Sequence, residues 1–402
     1  MKSLLLYATL ALSLCLSCTS SFRAQKLVRD TSAAPQTNDS NSLPAPAQSL
    51  TAIPFEQSDN LIYLQVQVNN SAPLQFVLDS GASVFVIGQS QAKTLNLKTE
   101  EKDKLAGAGA GTFDVTYTKN VTFGLPGVNL LVPNVALTDL SQLSAGLGRR
   151  VDGIVGFEFF DRHVVEIDYD ANVIRLFDPK SYNYSGSGEV IPITIKRKHA
   201  FVAAKIKVAG REPANREYLI DTGASGVVSD PLVAQSTAPK MEFVGGIGLG
   251  NEAKIVLGRV ERLQLGSFVF ENTNGVAGAG PMIIAGELLR RFTVIFDYSR
   301  QRMILEPSRH FRDGFIFDTL GAELNLEQEL KGFSVGSLFS SSVAAEAGLK
   351  KGDLITTIDG QPALSFSLPQ MRRMFEEEKE YRLGVKRGSE MLQVKVKLRK
   401  LL

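Results

Sequence analysis

The stretch "FVLDSGASVFVI" (residues 76–87) places an aspartate, two hydroxyl residues and a glycine between two apolar runs. Apolar runs of this length, bounded by turn residues, are typical of buried β-strands. The polar turn between them is therefore predicted to lie against the hydrophobic core. An aspartate is almost never buried unless it is paired. Asp79 therefore needs a partner from elsewhere in the chain.

A second copy of this stretch supplies that partner. "EYLIDTGASGVVS" (residues 217–229) repeats the polar turn, with Asp221 in the place of Asp79. Because order, spacing and chemistry recur, the sequence predicts two copies of one β-lobe, residues 51–185 and 186–308. The later parts of the repeat are a Gly-rich stretch (105–117 and 243–258) and an apolar run followed by a strand pattern (154–179 and 283–307).

The duplication predicts that Asp79 and Asp221 meet. If the lobes pack about a pseudo-twofold axis, the equivalent turns lie together at that axis. Two carboxylates in contact cannot both ionise, so they share one proton and titrate as a pair. The ionised carboxylate can then deprotonate a water, and the protonated carboxyl can donate to a carbonyl oxygen. This chemistry requires no metal, no cofactor and no covalent intermediate.

The other residues of the two turns are predicted to support this pair. Ser80 and Thr222 can hydrogen-bond across the axis to the opposite turn. Gly81 and Gly223 lack a Cβ, so they let the backbone approach the carboxylates.

These motifs resemble those of aspartic peptidases. The D-[S/T]-G-A cores begin at Asp79 and Asp221, and the apolar-apolar-Gly run "IVG" at residues 154–156 matches the same family. The resemblance covers residues 57–307 and implies that each lobe contributes one catalytic aspartate. It also implies a mainly β, bilobal fold.

Alanine at positions 82 and 224 is similar to the retroviral type of aspartic peptidase, so the pattern resembles two retropepsin-like lobes fused in one chain. Pepsin-like enzymes tend to carry a hydroxyl there that hydrogen-bonds the carboxylate. Without that donor the pair should be less acidic, and we expect activity at mildly acidic to near-neutral pH.

The second lobe departs from the family pattern, because Ala285 stands where the first lobe has Gly156. The neighbouring Gly286 is expected to meet the backbone requirement. The Gly-rich stretches at 105–111 and 244–250 are predicted flaps that close over a bound peptide, with plain hairpin turns as the alternative. A phosphate-binding loop is excluded, because no Lys-Ser/Thr pair follows either stretch.

Beyond residue 308 the repeat stops. "AGLKKGDLITTIDG" (347–360) resembles a PDZ domain of the kind found in exported bacterial proteases. The resemblance implies a small β-sandwich with two helices over residues 309–402. Apolar spacing predicts a helix near 367–377, and two strands are predicted around Gly388. Asp353 and Asp359 belong to turns of this fold and are not catalytic candidates.

The PDZ resemblance also implies a peptide-binding loop for protein C-termini. An extended peptide would add as a strand beside the last three residues of that loop, with the predicted helix on its other side. The alternative is a domain that packs on the protease and binds no peptide. The loop residues are Leu330, Lys331, Gly332, Phe333, Ser334 and Val335.

The N-terminus reads as an export signal. Lys2 precedes an apolar stretch to Leu16 that is too short to span a bilayer. Residues 16–18 resemble the end of a bacterial lipoprotein signal, in which Cys18 would be lipidated. This predicts a protein of the periplasm or cell envelope, anchored to the membrane through Cys18. An ordinary secretory signal is the alternative. Residues 19–50 have the composition of a disordered tether.

Composition excludes several other classes. The 44 Lys and Arg nearly balance the 42 Asp and Glu, which argues against a nucleic-acid surface. The three histidines are scattered, and no cysteine follows residue 18, so the folded part has no zinc cluster, cysteine nucleophile or disulfide framework.

The sequence therefore predicts an exported, membrane-tethered aspartic endopeptidase that acts on peptide or protein substrates, with a PDZ domain for their capture or for regulation. A non-catalytic peptide-binding lipoprotein on a protease-derived scaffold is the alternative. A third possibility is an enzyme that cleaves only its own tether.

Overall fold

A computed structural model describes residues 49–106, 112–245, 253–315, 319–329 and 331–400. The chain is mainly β in these ranges, as the sequence predicts. None of their helices has the length and apolar character that a membrane span requires. The predicted signal, most of the predicted tether and Cys18 lie outside the described residues.

In the described residues, the first repeat consists of mostly antiparallel strands with three helices of six or seven residues. Its helices are α1 (Gln89–Thr94), α2 (Ser141–Leu147) and α3 (Phe157–Arg162). Its strands are β1 (Thr51–Pro54), β2 (Glu56–Ser58), β3 (Leu61–Val68), β4 (Leu74–Leu78), β5 (Phe85–Gly88), β6 (Glu100–Ala106), β7 (Thr112–Leu125), β8 (Val128–Thr138), β9 (Gly153–Val155), β10 (Val164–Asp168) and β11 (Val173–Phe177).

The second repeat has the same succession of strands as β2 to β11 of the first, with one short helix, α4 (Gly286–Leu289). Short 3₁₀ turns occur at Pro231–Gln235 and Tyr298–Arg300. Its strands are β12 (Glu189–Lys196), β13 (His199–Lys207), β14 (Ala214–Asp221), β15 (Val228–Ser229), β16 (Lys240–Gly245), β17 (Ala253–Leu265), β18 (Phe268–Ala277), β19 (Ile283–Ala285), β20 (Phe292–Asp297) and β21 (Arg302–Pro307).

The two repeats use one strand order. In the first repeat an eight-stranded sheet runs β2-β3-β4-β9-β5-β8-β7-β6. In the second the order is β12-β13-β14-β19-β15-β18-β17-β16, which is the same path with every strand replaced by its counterpart. A sheet of β1, β11, β10, β20, β21 and β12 continues from this path, and the antiparallel pair β10–β20 joins the repeats there.

Each polar turn follows the central strand of its repeat. Strand β4 ends at Leu78 and lies parallel to β9, and β14 ends at Asp221 and lies parallel to β19. The aspartates therefore emerge at the carboxyl ends of two equivalent strands.

The apolar runs of the opening stretch pack into the main hydrophobic core. Phe76, Leu78, Phe85 and Ile87 are completely buried there. The ring of Phe123 packs against both phenylalanines, with centroids 5.9 Å from Phe76 and 4.6 Å from Phe85. Full burial of such a side chain stabilises the fold by about 1.5–3 kcal/mol, so these contacts fix the strands on either side of the first turn.

Residues 319–329 and 331–400 form the C-terminal β-unit, which has a hydrophobic core of its own. Its helices are α5 (Val343–Glu346) and α6 (Leu368–Met374). Helix α6 begins with a capping box between Ser367 and Gln370, and the apolar spacing predicted it. Gly388 has a positive φ of 60° in the predicted turn. The strands are β22 (Ala322–Glu327), β23 (Gly332–Leu338), β24 (Leu354–Ile358), β25 (Gln361–Pro362), β26 (Glu380–Arg387) and β27 (Glu390–Lys397).

The prediction that a peptide adds as a strand beside Phe333, Ser334 and Val335 is wrong. Phe333 pairs with Leu326 of β22 on one side and with Ile355 of β24 on the other. Val335 pairs with β22, and its amide donates to the carbonyl of Asp353 at 2.8 Å. Because β23 is a middle strand, a peptide cannot add beside it. Of the loop residues, Gly332 to Val335 lie in β23, Lys331 precedes them with a φ of 55°, and Leu330 lies outside the described residues.

The outer strand of that sheet is β22, not β23. Helix α2 of the first repeat packs against β22, and α6 lies beside the same strand. The C-terminal β-unit is therefore in contact with the first repeat at this edge.

Candidate active site

Asp79 and Asp221 lie in contact, as the duplication predicts. Their carboxyl groups are joined by a hydrogen bond. Each side chain is partly accessible to solvent, although the two turns surround it closely. The partner that the burial of Asp79 demanded is therefore the equivalent aspartate of the other repeat.

The predicted hydrogen bonds between Ser80 and Thr222 are confirmed, and they are reciprocal. The amide of Ser80 donates to Thr222 Oγ1 at 2.9 Å, and the amide of Thr222 donates to Ser80 Oγ at 3.1 Å. Each hydroxyl then donates onward, Ser80 to the carbonyl of Ile220 at 2.7 Å and Thr222 to that of Leu78 at 2.9 Å. Both side chains are fully buried. Four hydrogen bonds thus fix one turn against the other directly beside the carboxyls.

Gly81 and Gly223 give the opposite carboxylates room. A Cβ on Gly81 would lie 2.9 Å from Asp221 Cγ, and one on Gly223 would overlap the Asp79 carboxyl. Their amides also orient the aspartates, since Gly81 donates to Asp79 Oδ1 and Gly223 to Asp221 Oδ1, each at 2.8 Å. Glycine is required at these two positions because the carboxyl group of the opposite turn lies where a Cβ would be.

The electrostatics of the pair favour one shared proton. Burial raises the pKa of Asp79 well above its ordinary value of 3.8, and the negative charge of Asp221 and their hydrogen bond raise it further. Burial also raises the pKa of Asp221, but the amide of Gly223 and the hydrogen bond from Asp79 lower it. Because the pKa of both carboxyls is raised and the two are in contact, one of them holds the proton and the other the negative charge.

The backbone geometry behind the two polar turns is equivalent in both repeats, although Ala285 stands where the first repeat has Gly156. The amide of Phe157 donates to Ala82 at 2.9 Å, and the equivalent amide of Gly286 donates to Ala224 at 2.7 Å. Ala285 is buried in extended backbone, with φ −119° and ψ −179°. A Cβ on Gly286 would overlap the carbonyl oxygen of Asn60. Gly156 and Ala285 thus share an extended backbone, and the predicted compensation by Gly286 stays a prediction.

Sequence reasoning missed two contacts between the repeats. Asn60 Nδ2 donates to the carbonyl of Ser225, in the second polar turn, at 2.9 Å. In the other direction, Lys198 Nζ pairs with Glu158 of α3 at 2.9 Å. Asn60 and Lys198 are the second residues of equivalent two-residue turns, β2–β3 and β12–β13. Because the two residues occupy equivalent positions in the repeats, comparing the repeats in the sequence could have predicted that both contact the opposite repeat.

The predicted flaps are hairpins as far as the structure describes them. Strands β6 and β7 pair up to Ala106 and Thr112, and β16 and β17 pair up to Gly245 and Ala253. The tips, residues 107–111 and 246–252, lie outside the described residues. Closure over a substrate therefore stays a prediction.

No group of three or more His, Cys, Asp or Glu side chains in the described ranges is placed to hold a metal ion. Asp353 accepts two hydrogen bonds from Arg387 and one from the Lys350 amide, as expected of a turn residue.

Part of the first repeat matches the model of a known protein family. Residues 64–159 match the family model described as aspartyl protease. The matched segment contains the first polar turn, with Asp79, and the 154–156 run of the first repeat. No curated protein matches the chain.

Proposed function

We propose that this protein is an aspartic endopeptidase whose catalytic pair is Asp79 and Asp221. The observation that carries the proposal is the hydrogen-bonded contact of the two carboxyls, held between turns that Ser80 and Thr222 lock together. The family match of the first repeat supports the same class of hydrolase.

The proton arrangement determines the chemistry of each carboxyl. The ionised carboxyl accepts a proton from a water held between the two side chains, and the oxygen of that water attacks the scissile carbonyl carbon. The protonated carboxyl donates its proton to the carbonyl oxygen, which gives a neutral tetrahedral intermediate. When the intermediate collapses, the C–N bond breaks, the carboxyl that took the water's proton passes it to the leaving amine, and the other carboxyl recovers a proton from the intermediate's hydroxyl.

The fold that we propose for this chemistry is bilobal and retropepsin-like, with residues 51–185 and 186–308 as the lobes. It is supported by the identical strand order of the repeats and by the junction of β10 with β20. A site at the axis of two equivalent units accounts for the requirement for both aspartates.

For the C-terminal β-unit we propose a PDZ-like domain that regulates the peptidase or its access to protein substrates. Its six strands and two helices and the "AGLKKGDLITTIDG" stretch support this assignment. We further propose export to the periplasm or cell envelope and anchoring through a lipid on Cys18, on the basis of the N-terminal sequence alone.

The test is cleavage of a peptide library by the chain from residue 51 onward. Asp79→Asn and Asp221→Asn should each abolish cleavage while leaving the fold intact. Asp161→Asn removes an exposed carboxylate from α3 and should cleave like the wild type. Cleavage by both dyad variants at the wild-type rate would refute the mechanism, and cleavage of residues 19–50 alone by the full chain would restrict it to self-processing.

A further inference from the structure

The turn between β2 and β3 supports the second polar turn. Asp59 and Asn60 both have positive φ, 50° and 64°, as two-residue hairpin turns require. The side-chain amide of Asn60 donates to the backbone carbonyl of Ser225, four residues after Asp221. The carbonyl oxygen of Asn60 lies against Gly286, which binds Ala224 of the same turn. Asn60 thus contacts the second polar turn directly at Ser225 and indirectly through Gly286.

Arg372 of α6 holds the other residue of this hairpin turn. Its Nη1 forms an ion pair with Asp59 Oδ2, and its Nη2 donates to the carbonyl of Gly146, in α2, at 2.8 Å. The Asp59 side chain is only 16% exposed and that of Arg372 is 39% exposed. One guanidinium therefore joins three segments, and partial burial makes its ion pair stronger than an exposed one.

The β12–β13 turn of the second repeat has the same backbone conformation as the β2–β3 turn but differs from it in charge. Arg197 and Lys198 have the same backbone, with φ 49° and 62°, and Lys198 reaches across to Glu158 of the first repeat. Each turn thus supports the opposite repeat. The turn of the first repeat carries an acidic residue instead of a basic one, and this residue pairs with the C-terminal β-unit.

The C-terminal β-unit has a second, independent attachment. The rings of Phe339 and Phe243 stack with centroids 4.3 Å apart. The amide of Ser340 donates to the carbonyl of Glu242 at 2.8 Å, and the Glu242 amide donates to Ser340 Oγ at 3.0 Å. This attachment to β16 does not involve Arg372. Loss of the Arg372 contacts should therefore leave the unit in place.

We propose that Arg372 is a positioning residue for the turn that carries Asp221. It fixes Asp59, and the hairpin turn so fixed lets Asn60 hold the Ser225 carbonyl. The C-terminal β-unit is then a part of the catalytic apparatus. The kinetic consequence rests on the proposed peptidase function, whereas the structural consequence does not.

Four variants of the chain from residue 51 onward test this: Arg372→Gln, Asp59→Asn, their combination, and Arg372→Lys. Asparagine keeps the left-handed backbone at residue 59, and lysine keeps the charge at residue 372. Arg373→Gln is the matched control, since it removes the neighbouring charge of α6 from an exposed position.

Arg372→Gln and Asp59→Asn should each lower kcat about 5-fold, with KM changed by less than about 2-fold. The combination should be no worse than either alone, because both remove one interaction. Arg372→Lys should recover most of the activity, and Arg373→Gln should match the wild type. Strict additivity, or a kcat of Arg372→Gln equal to that of Arg373→Gln, would overturn the proposal.

Amide hydrogen exchange separates this proposal from the function. Residues 219–228 should exchange about 5-fold faster in Arg372→Gln and Asp59→Asn than in Arg373→Gln. If the wild type cleaves no peptide, the proposed function fails while this measurement still decides the positioning role. Equal exchange in all variants would overturn the positioning role, whether or not the wild type is active.

Discussion

Ser80 and Thr222 each accept a hydrogen bond from the backbone amide of the other, at 3.1 and 2.9 Å. Because each hydroxyl also donates to a carbonyl of the opposite repeat, the pair forms a closed network of four hydrogen bonds. The two aspartates are adjacent in sequence to these residues. The geometry of the carboxyl pair is therefore set by buried backbone groups.

Thr222→Val should destabilise the fold strongly. It leaves the Ser80 amide and the Leu78 carbonyl without partners, at about 1–3 kcal/mol for each buried group. Thr222→Ser retains the hydroxyl and should recover most of the loss. Urea unfolding measures both free energies. Equal stability of the valine and serine variants would show that the network contributes little.

Gly223→Ala should abolish peptide cleavage, because the new Cβ would occupy the space of the Asp79 carboxyl. Gly81→Ala should be impaired by the same clash with Asp221. Gly226→Ala is the control, since a Cβ there meets no atom within 4 Å. Steady-state cleavage assays and far-ultraviolet circular dichroism would separate a displaced carboxyl from a lost fold. Full activity of Gly223→Ala would contradict the close approach.

Stability should fall as pH rises through the pKa of the dyad. Asp79 has a folded-state pKa above its unfolded value, so the folded state binds the proton more tightly. Its contribution to stability is complete below the unfolded pKa and is lost as pH rises through the folded pKa. Asp79→Asn removes the contribution of Asp79 to this dependence and should be more stable than the wild type at neutral pH. Urea unfolding between about pH 4 and pH 8 checks the sign. A wild type that gains stability relative to Asp79→Asn over this range would contradict the raised pKa.

A hydroxyl placed beside the carboxylates should make the pair more acidic. Ala82→Ser and Ala224→Ser each supply a donor that favours the ionised form, so the acidic limb of the pH–rate profile should move to lower pH. Profiles of kcat/KM for both variants and the wild type measure the shift. An unchanged acidic limb in both would show that the alanines do not set the acidity of the dyad.

The repeat made the centre of the site predictable. Asp79, Asp221, Ser80 and Thr222 stand in matched copies of one short motif, and packing two equivalent units brings matched residues together. The four short helices of the repeats were not foreseen, since four to seven residues give too little periodicity to recognise.

The contacts of the C-terminal β-unit could not be predicted from the sequence, for a different reason. Arg372 and Asp59 lie far apart in the chain, and Arg372 belongs to no repeated motif, so nothing local marks them as a pair. The position of β23 between β22 and β24 depends on strand order, which the alternation of apolar residues does not specify. The prediction of a peptide-binding edge at β23 was wrong because it assumed a strand order that the sequence does not specify.

The pH dependence of kcat/KM tests the shared proton most directly, because it reports the ionisation of both catalytic carboxyls in the free enzyme. The account predicts a bell-shaped profile with its maximum between about pH 5 and pH 7, and no measurable cleavage by Asp79→Asn or Asp221→Asn. A profile that peaks in strong acid and is absent near about pH 6, or undiminished cleavage by both variants, would contradict it.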